Sequence, residues 1–363
     1  MRLRRLAATE FRNFRHIALD TDAPYVVFHG QNAQGKTNAL EAIYLLATLK
    51  PLRARRSEEL IRFGAKQAQV WAEVDHLDLR RTYSVELDEG RRTVRVDSKV
   101  IHDLADYFCG IRAIAFSPAD VGIATGEPSR RRNWLDRAAF TAAPAHLEVV
   151  RSWKRILDQK SAALRASVVD DRVLDALDDA FAEHSARLVE RRVRLIHELS
   201  PHVESLHALM APLGGRLGLR YRSAVTGSDT TSRARNFRIE LSKSRSRERD
   251  RRMALIGPQS DDVEITLDDR PVRVFGSQGQ VRSTVLSLKL AELVAAENRG
   301  DKPMFLIDDV GSELDHSRKQ RLVGILHELG TQVFASTTDP DHLRQLPAGQ
   351  VRWVRVEDGE MYG

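Results

Sequence analysis

Gly30-Gln31-Asn32-Ala33-Gln34-Gly35-Lys36-Thr37 fits the phosphate-binding loop pattern G-x-x-x-x-G-K-[ST] at every fixed position. Tyr25, Val26, Val27 and Phe28 before it read as a buried strand. Residues 38–48 after it read as a helix with Ala39, Leu40, Ile43, Tyr44, Leu45 and Leu46 on its apolar face. The chemistry needs this order. Gly30 and Gly35 let the backbone curl so that successive N–H groups face phosphate oxygens. The helix that follows turns its positive end to the same charge. In such a loop Lys36 reaches the β- and γ-phosphates of ATP and Thr37 holds Mg²⁺. The loop implies a nucleotide. It does not say what the nucleotide controls.

The 363 residues suffice for two compact units or one with a large insertion. Lys and Arg total 57 against 51 Asp and Glu, a net charge of +6, which permits nucleic-acid binding without proving it. Cys109 is the only cysteine, so neither an intramolecular disulfide nor a Cys zinc cluster is available. Residues 1–5 resemble the basic start of a signal peptide, but Phe11-Arg12-Asn13-Phe14-Arg15 interrupts any apolar run after them. No run approaches the length that spans a bilayer. The expectation is a cytoplasmic protein with no membrane partner. The twelve histidines show no ligand spacing, so no metal beyond Mg²⁺ is expected.

Residues 1–30 read as a strand, a polar turn and a second strand leading into the loop. Residues 70–75, 82–87 and 93–96 carry β-forming residues, with Asp88-Glu89-Gly90 as a hairpin turn, and imply an antiparallel subsheet. Residues 112–116 form another strand. From about 118 to 210 the chain reads as helix, with two apolar stripes joined near 168–171 as a short antiparallel arm, and Pro201 is expected to kink the second helix. The run 242–252, Ser-Lys-Ser-Arg-Ser-Arg-Glu-Arg-Asp-Arg-Arg, reads as a mobile solvated loop, or alternatively as a contact to phosphate backbones. Residues 263–267 and 271–275 read as a hairpin turning at Asp268-Asp269.

Ser277-Gln278-Gly279-Gln280 precedes a helix running to about 297. Residues 303–309, Pro-Met-Phe-Leu-Ile-Asp-Asp, form an apolar strand ending in two carboxylates, and Ser312-Glu313-Leu314-Asp315 follows at once. Residues 332–337 are another buried strand, ending in Thr338-Asp339-Pro340. In a protein with a phosphate loop, a carboxylate must complete the Mg²⁺ shell from the end of a neighbouring parallel strand. Asp308 takes that role, and Asp309 is placed to polarise the attacking water. Lys36, Asp308 and Asp309 are thus the candidate catalytic residues, and Thr37 with Asp308 the candidate metal ligands.

Taken in order, these motifs resemble the ABC-type ATPase head, and in particular the RecF family of bacterial recombination and gap-repair proteins in its SMC-like branch. The resemblance covers nearly the whole chain. Phe11-Arg12-Asn13-Phe14-Arg15 is similar to the family's opening motif, and residues 30–38 match its loop, including Asn38. Phe116-Ser117-Pro118 with Arg130-Arg131-Arg132-Asn133-Trp134-Leu135-Asp136 resembles its passage into the helical domain. Gly257-Pro258 and Asp261-Asp262 match a short motif, residues 277–280 the signature, and residues 306–309 and 312–315 the Walker B strand and D-loop. The chain departs from the pattern at Gln259-Ser260, at Val281, and at Thr337-Thr338-Asp339 where other ABC heads place a switch histidine. The second acid is Asp309, shorter than the usual Glu, and slow hydrolysis is expected.

The resemblance implies an α/β fold. Residues 1–117 and 253–363 form an ABC-type P-loop ATPase head with a mixed sheet and antiparallel subsheet, and residues 118–252 an inserted, mainly α-helical domain with a short coiled-coil-like arm and a basic loop. It implies an ATP-dependent homodimer. Ser277, Gln278, Gly279 and Gln280 of one subunit close over the γ-phosphate held by Lys36 of the other, with Arg12, Asn13 and Asp315 also at the nucleotide or the interface. It implies DNA as ligand, at single-strand gaps, with RecR and RecO as partners; Arg130, Arg131, Arg132 and residues 245–252 are the DNA candidates. The rival readings are the nucleotide-binding subunit of a transporter, a single-chain P-loop kinase and a structural SMC-like bridge. The first lacks the transporter leucine before Ser277, the second needs no S-x-G-Q signature, and the third wants a longer arm.

Overall fold

The computed structural model describes the chain except Arg55, Asp78, Glu89, Asp103, Val169, residues 310–314 and the side chains of Ala105 and Asp106. In chain order the strands are β1 (Arg2–Phe11), β2 (Phe14–Asp20), β3 (Tyr25–His29), β4 (Gln67–His76), β5 (Leu79–Asp88), β6 (Arg91–Val96), β7 (Lys99–Val100), β8 (Ala113–Phe116), β9 (Leu217–Arg222), β10 (Asp262–Leu267), β11 (Arg270–Pro271), β12 (Met304–Ile307), β13 (Val333–Thr337), β14 (Val351–Glu357) and β15 (Glu360–Tyr362). The helices are α1 (Lys36–Thr48), α2 (Leu104–Gly110), α3 (Val121–Thr125), α4 (Pro128–Ala142), α5 (His146–Arg165), α6 (Asp171–Met210), α7 (Thr230–Arg251), α8 (Val272–Phe275), α9 (Gln278–Asn298) and α10 (His316–Leu329).

Two compact units result. The first comprises Met1–Val121, Leu209–Pro212 and Val285–Gly363, and the second Gly122–Ala208 and Leu213–Thr284. Residues 253–284, expected in the head, thus group with the insertion. The reason is strand pairing: β10 runs antiparallel to β9, with Asp262 opposite Arg222 and Leu267 opposite Leu217.

In the first unit one sheet has the order β15-β14-β3-β13-β12-β8. The pairs β14–β3, β3–β13, β13–β12 and β12–β8 are all parallel. β12 and β13 are buried at every residue, as continuous apolar runs in a covered parallel sheet should be. The other sheet, β2-β1-β4-β5-β6-β7, is antiparallel. On β4 the buried residues Ala68, Val70, Ala72 and Val74 alternate with more exposed ones, the period of a sheet with one covered face. α1 touches strands of both sheets, which explains why it is apolar nearly all round: Leu40, Ile43, Leu45 and Leu46 are all fully buried. Before β3 there are two strands, not one. They meet at Arg12, whose φ of 55° makes a tight turn without the glycine that would mark it in sequence. The Gln332 amide, buried, accepts from Leu3 N–H (2.7 Å) and donates to the carbonyls of Leu3 (3.0 Å) and Thr21 (2.8 Å), tying β1 and the end of β2 to the start of β13.

In the second unit α5 and α6 lie antiparallel. Lys160 bonds Asp178 at 2.8 Å, and Leu164 clusters with Leu174 nearer the turn. Pro201 sits inside α6, which continues to Met210. A third helix packs on this pair: Phe237 and Leu241 of α7 share a core with Trp153, Phe181, Ala186 and Val189. The run 242–252 is therefore not a loop; all but its last residue is helical. Several of its charges are partnered by α5 and α6. Arg245 bonds Asp175 (2.8 Å) and Asp178 (2.7 Å), Arg249 bonds Asp171, and buried Glu248 meets Lys160 at 2.7 Å. The second arm of the expected 263–275 hairpin is only the two residues of β11, because α8 takes over.

The arginine-rich and Gly-Pro motifs meet in one buried network. Asp136 forms a double ion pair with Arg192 (2.9 and 2.8 Å) and lies 3.2 Å from the His146 ring. Arg192 donates to Pro258 O and the Tyr221 hydroxyl, which donates to Asp261 at 2.7 Å. Arg131 clasps Asp262 at 2.7 and 2.9 Å. Burial pushes the Asp136 carboxyl upward, but the hydrogen bonds from His146 and Arg192 outweigh it and hold the group at about 2, below its ordinary 3.8. A carboxylate depressed on folding stabilises above its unfolded value and loses that contribution as pH falls through the folded one. We predict that acid weakens the protein by about 2 kcal/mol as pH falls from ~4 to ~2 through this group. Denaturant midpoints across that window test it. Asp136→Asn should remove that component of the slope, and an unaltered slope would contradict the assignment.

Candidate nucleotide-binding site

The phosphate loop leaves the carboxyl end of β3 and closes at Gly35, which starts α1 with φ 117°. Both glycines are demanded by their surroundings. A Cβ on Gly30 (φ +141°) would lie 2.4 Å from Val356 O, and one on Gly35 would lie 2.8 Å from the Asn13 amide. Gln31, Asn32 and Ala33 form the exposed crest, with Ala33 at φ 66°. Lys36 arches back over the loop and donates to Gly30 O (2.7 Å) and Gln31 O (2.6 Å). Burial pushes its ammonium down, while Asp309 and Asp308 push back.

Behind the loop a polar scaffold fixes its shape. Asn13 donates to Gln34 O at 2.8 Å, and Asn38 donates to Asn13 at 2.7 Å. The turn between β14 and β15 completes it: Asp358 N–H donates to Gln34 Oε1 (2.5 Å), and Gly359 N–H to Gln34 O (3.3 Å). Arg12 points elsewhere. Its guanidinium is held by buried Glu41 at 2.7 Å and by Glu59 O at 3.0 Å. Asn13 thus braces the loop, while Arg12 ties α1 to residue 59.

The parallel register brings the second half of the site to the same edge. Thr337 on β13 stands opposite His29 on β3, and Ile307 on β12 opposite Ala335. Asp308 follows β12 directly and is 2% exposed. Its Oδ1 accepts from Thr37 Oγ1 (2.8 Å) and Ser336 Oγ (2.7 Å), and its Oδ2 pairs with Arg53. Thr37 and Asp308, far apart in sequence, are therefore in contact. A hydroxyl and one carboxylate suit Mg²⁺, which takes few protein oxygens and completes its shell from phosphates and water. Asp309 has φ 59°, and its N–H donates to Ser336 Oγ at 2.8 Å. Among the described residues no three His, Cys, Asp or Glu side chains cluster as a separate metal site.

Arg53, Ser336, Asp358 and Gly359 escaped the sequence reading. So did His342, whose Nδ1 lies 3.3 Å from Thr337 Oγ1, just after β13. A polar loop after α1 and a histidine five residues past a strand carry no pattern to single them out. Arg53→Gln removes the one cation in contact with Asp308 among the described residues. We predict that the Mg²⁺ concentration supporting nucleotide binding then falls roughly threefold to tenfold, since a competing charge-assisted bond is gone. Titrating Mg²⁺ against a fluorescent ATP analogue measures this, and an unchanged requirement would show that the two cations do not compete.

In the second unit Ser277 and Gln280 cap α9 reciprocally. Ser277 N–H donates to Gln280 Oε1 (2.9 Å), and Gln280 N–H to Ser277 Oγ (3.3 Å). Gln278 is exposed and Gly279 half-buried at this open helix start. Val281, the apolar departure after the signature, is buried. Ser312, Glu313 and Leu314 lie outside the described residues. Asp315 caps α10, accepting from Arg318 N–H at 2.9 Å, which holds its carboxyl below the ordinary value.

Comparison with known proteins agrees with this arrangement. The RecF/RecN/SMC N terminal domain matches residues 2–360. The chain is 39% identical to the DNA replication and repair protein RecF of Myxococcus xanthus, over 99% of this chain and 97% of that one. It is 37% identical to RecF of Geobacter sulfurreducens, over 95% and 94%. A solved structure of the recombination mediator protein RecF with ATP, in the RecFOR pathway, superposes with a TM-score of 0.89 at 26% identity, covering 99% of this chain and 96% of that one. An SMC head bound to the C-terminal winged-helix domain of ScpA shares the fold at TM-score 0.60 and 14% identity. The fold is that of an SMC/RecF ABC-type ATPase head with helical insertions, and the chain belongs to the RecF family.

Proposed function

We propose that this protein is an ATP-gated DNA clamp of recombinational gap repair, with ATP hydrolysis used slowly as a reset. The observation that carries the reading is the 2.8 Å contact of Thr37 with Asp308 at the mouth of the phosphate loop. Loop N–H groups and Lys36 hold the β- and γ-phosphates. Thr37 and Asp308 hold Mg²⁺, which when bound neutralises developing charge on the phosphates. Asp309 orients the attacking water. Ser277, Gln278, Gly279 and Gln280 of a second copy, at the open start of α9, close over the γ-phosphate, and Asp315 lies at that interface. The homodimer is then stable only while the triphosphate is intact. DNA is bound mostly through its phosphates, and RecR and RecO are the partners expected by kinship. No helix among the described residues is long and apolar enough to cross a membrane.

The test is DNA binding to gapped duplex with and without ATP, across a salt series. Binding that requires ATP and weakens steeply with salt supports the clamp. Binding indifferent to ATP would sink it.

A further inference from the structure

Half of the arginines that stand out in the sequence are occupied in the fold, while Arg130, Arg247, Arg251 and Arg252 are exposed. Arg131 is 3% exposed and clasps Asp262, and Arg132 donates to Asp261 O at 2.7 Å. Arg245 and Arg249 are paired with α6 acids. A cation already bound to a carboxylate has little left for a phosphate. The place to look is where cations are exposed, unpaired and held in a common geometry.

The outer face of α5 meets those conditions. Its inner face is anchored, with Trp153, Lys160 and Leu164 buried. Arg151, Lys154 and Arg155 point the other way and are exposed. Among the described residues none of the three has an ion-pair or hydrogen-bonding partner, although Asp158 lies one turn on. Their spacing puts them on one side of about one helical turn. With Asp158, Gln159 and Ala162 of the same helix they border a shallow, open surface groove. Arg247, Arg251 and Arg252 on and after α7 are also exposed, with exposed Asp250 among them.

We propose that this groove on α5 is a DNA-backbone contact, with Arg151, Lys154 and Arg155 each engaging a phosphate and Gln159 donating from the side. This rests on the clamp reading above and deepens it. The dimensions agree. Four residues of helix rise ~6 Å, and one DNA strand carries a phosphate per ~3.4 Å of axis, so two to three consecutive phosphates of one strand lie within reach. Asp158 is the one negative group in the groove and opposes binding.

The experiment measures affinity for gapped duplex with ATP between low and moderate salt. The proteins are the wild type, Arg151→Gln/Lys154→Gln/Arg155→Gln, the same triple to Glu, and Asp158→Asn. The Gln triple should bind at least about tenfold more weakly at low salt and lose about two to three units of the log–log salt slope. The Glu triple should be weaker still, and Asp158→Asn should bind a few-fold more tightly. ATP-dependent mass, measured on each variant, should stay as in the wild type, which separates lost contact from lost assembly. If the wild type binds DNA and both triples keep its affinity and slope, the groove is not the contact. An acidic protein as the true occupant would give that same result. If the wild type itself binds no DNA with ATP present, the clamp reading fails first.

Discussion

Gly30→Val is expected to lower ATP affinity by roughly 5- to 150-fold while leaving the chain folded. Gly30 sits at φ +141°, and any Cβ there would lie 2.4 Å from Val356 O, a backbone atom of β14 that cannot step aside. The loop must relax, at a strain of about 1–3 kcal/mol, and that energy is drawn from the binding of phosphate to the loop's N–H groups. Calorimetric titration of nucleotide measures it. Wild-type affinity would mean that the loop adopts another shape when it binds.

Arg192→Met is expected to cost about 3–5 kcal/mol of stability, the largest loss of any single change considered for the second unit. The guanidinium is 2% exposed and serves three acceptors: Asp136 in two bonds, Pro258 O and the Tyr221 hydroxyl. Its removal leaves Asp136, whose side chain is 22% exposed, facing only His146. Adding Asp136→Leu should recover part of the loss, because a buried pair replaced by apolar groups is far less costly than a buried charge left alone. Urea unfolding of the single and double variants gives both numbers. A single variant as stable as the wild type would show that solvent reaches Asp136. This network also gives the Gly257-Pro258 and Asp261-Asp262 motif a structural role. Gln259 and Ser260, at its departures, bond locally to Ile256 O and Gly257 O.

The nucleotide half of the site was legible because its signals are local. Fixed glycines, an apolar strand and two acids at a strand end each follow from a few adjacent residues, and the parallel sheet brings them together without further instruction. What closes the site is not local. Gln34 is held by Asp358 and Gly359 from the far end of the chain, and Asp308 by Arg53 and Ser336. α7 was misread for a related reason. Residues 242–252 carry almost no apolar period, and the acids that make a helix favourable there lie near residue 175 on α6. Composition sees the charges and not their partners. The same blindness hides that Arg131 and Arg245 are paired with carboxylates in the fold.

The central claim is that ATP joins two heads through the signature, and the mass in solution tests it most directly. Light scattering would be run without nucleotide, with ATP, and with ATP for Lys36→Met and Ser277→Arg. The account predicts a doubled mass for the wild type only with ATP, and monomers for both variants. ATP binding with no change of mass would contradict it and return a single-chain P-loop enzyme to the front.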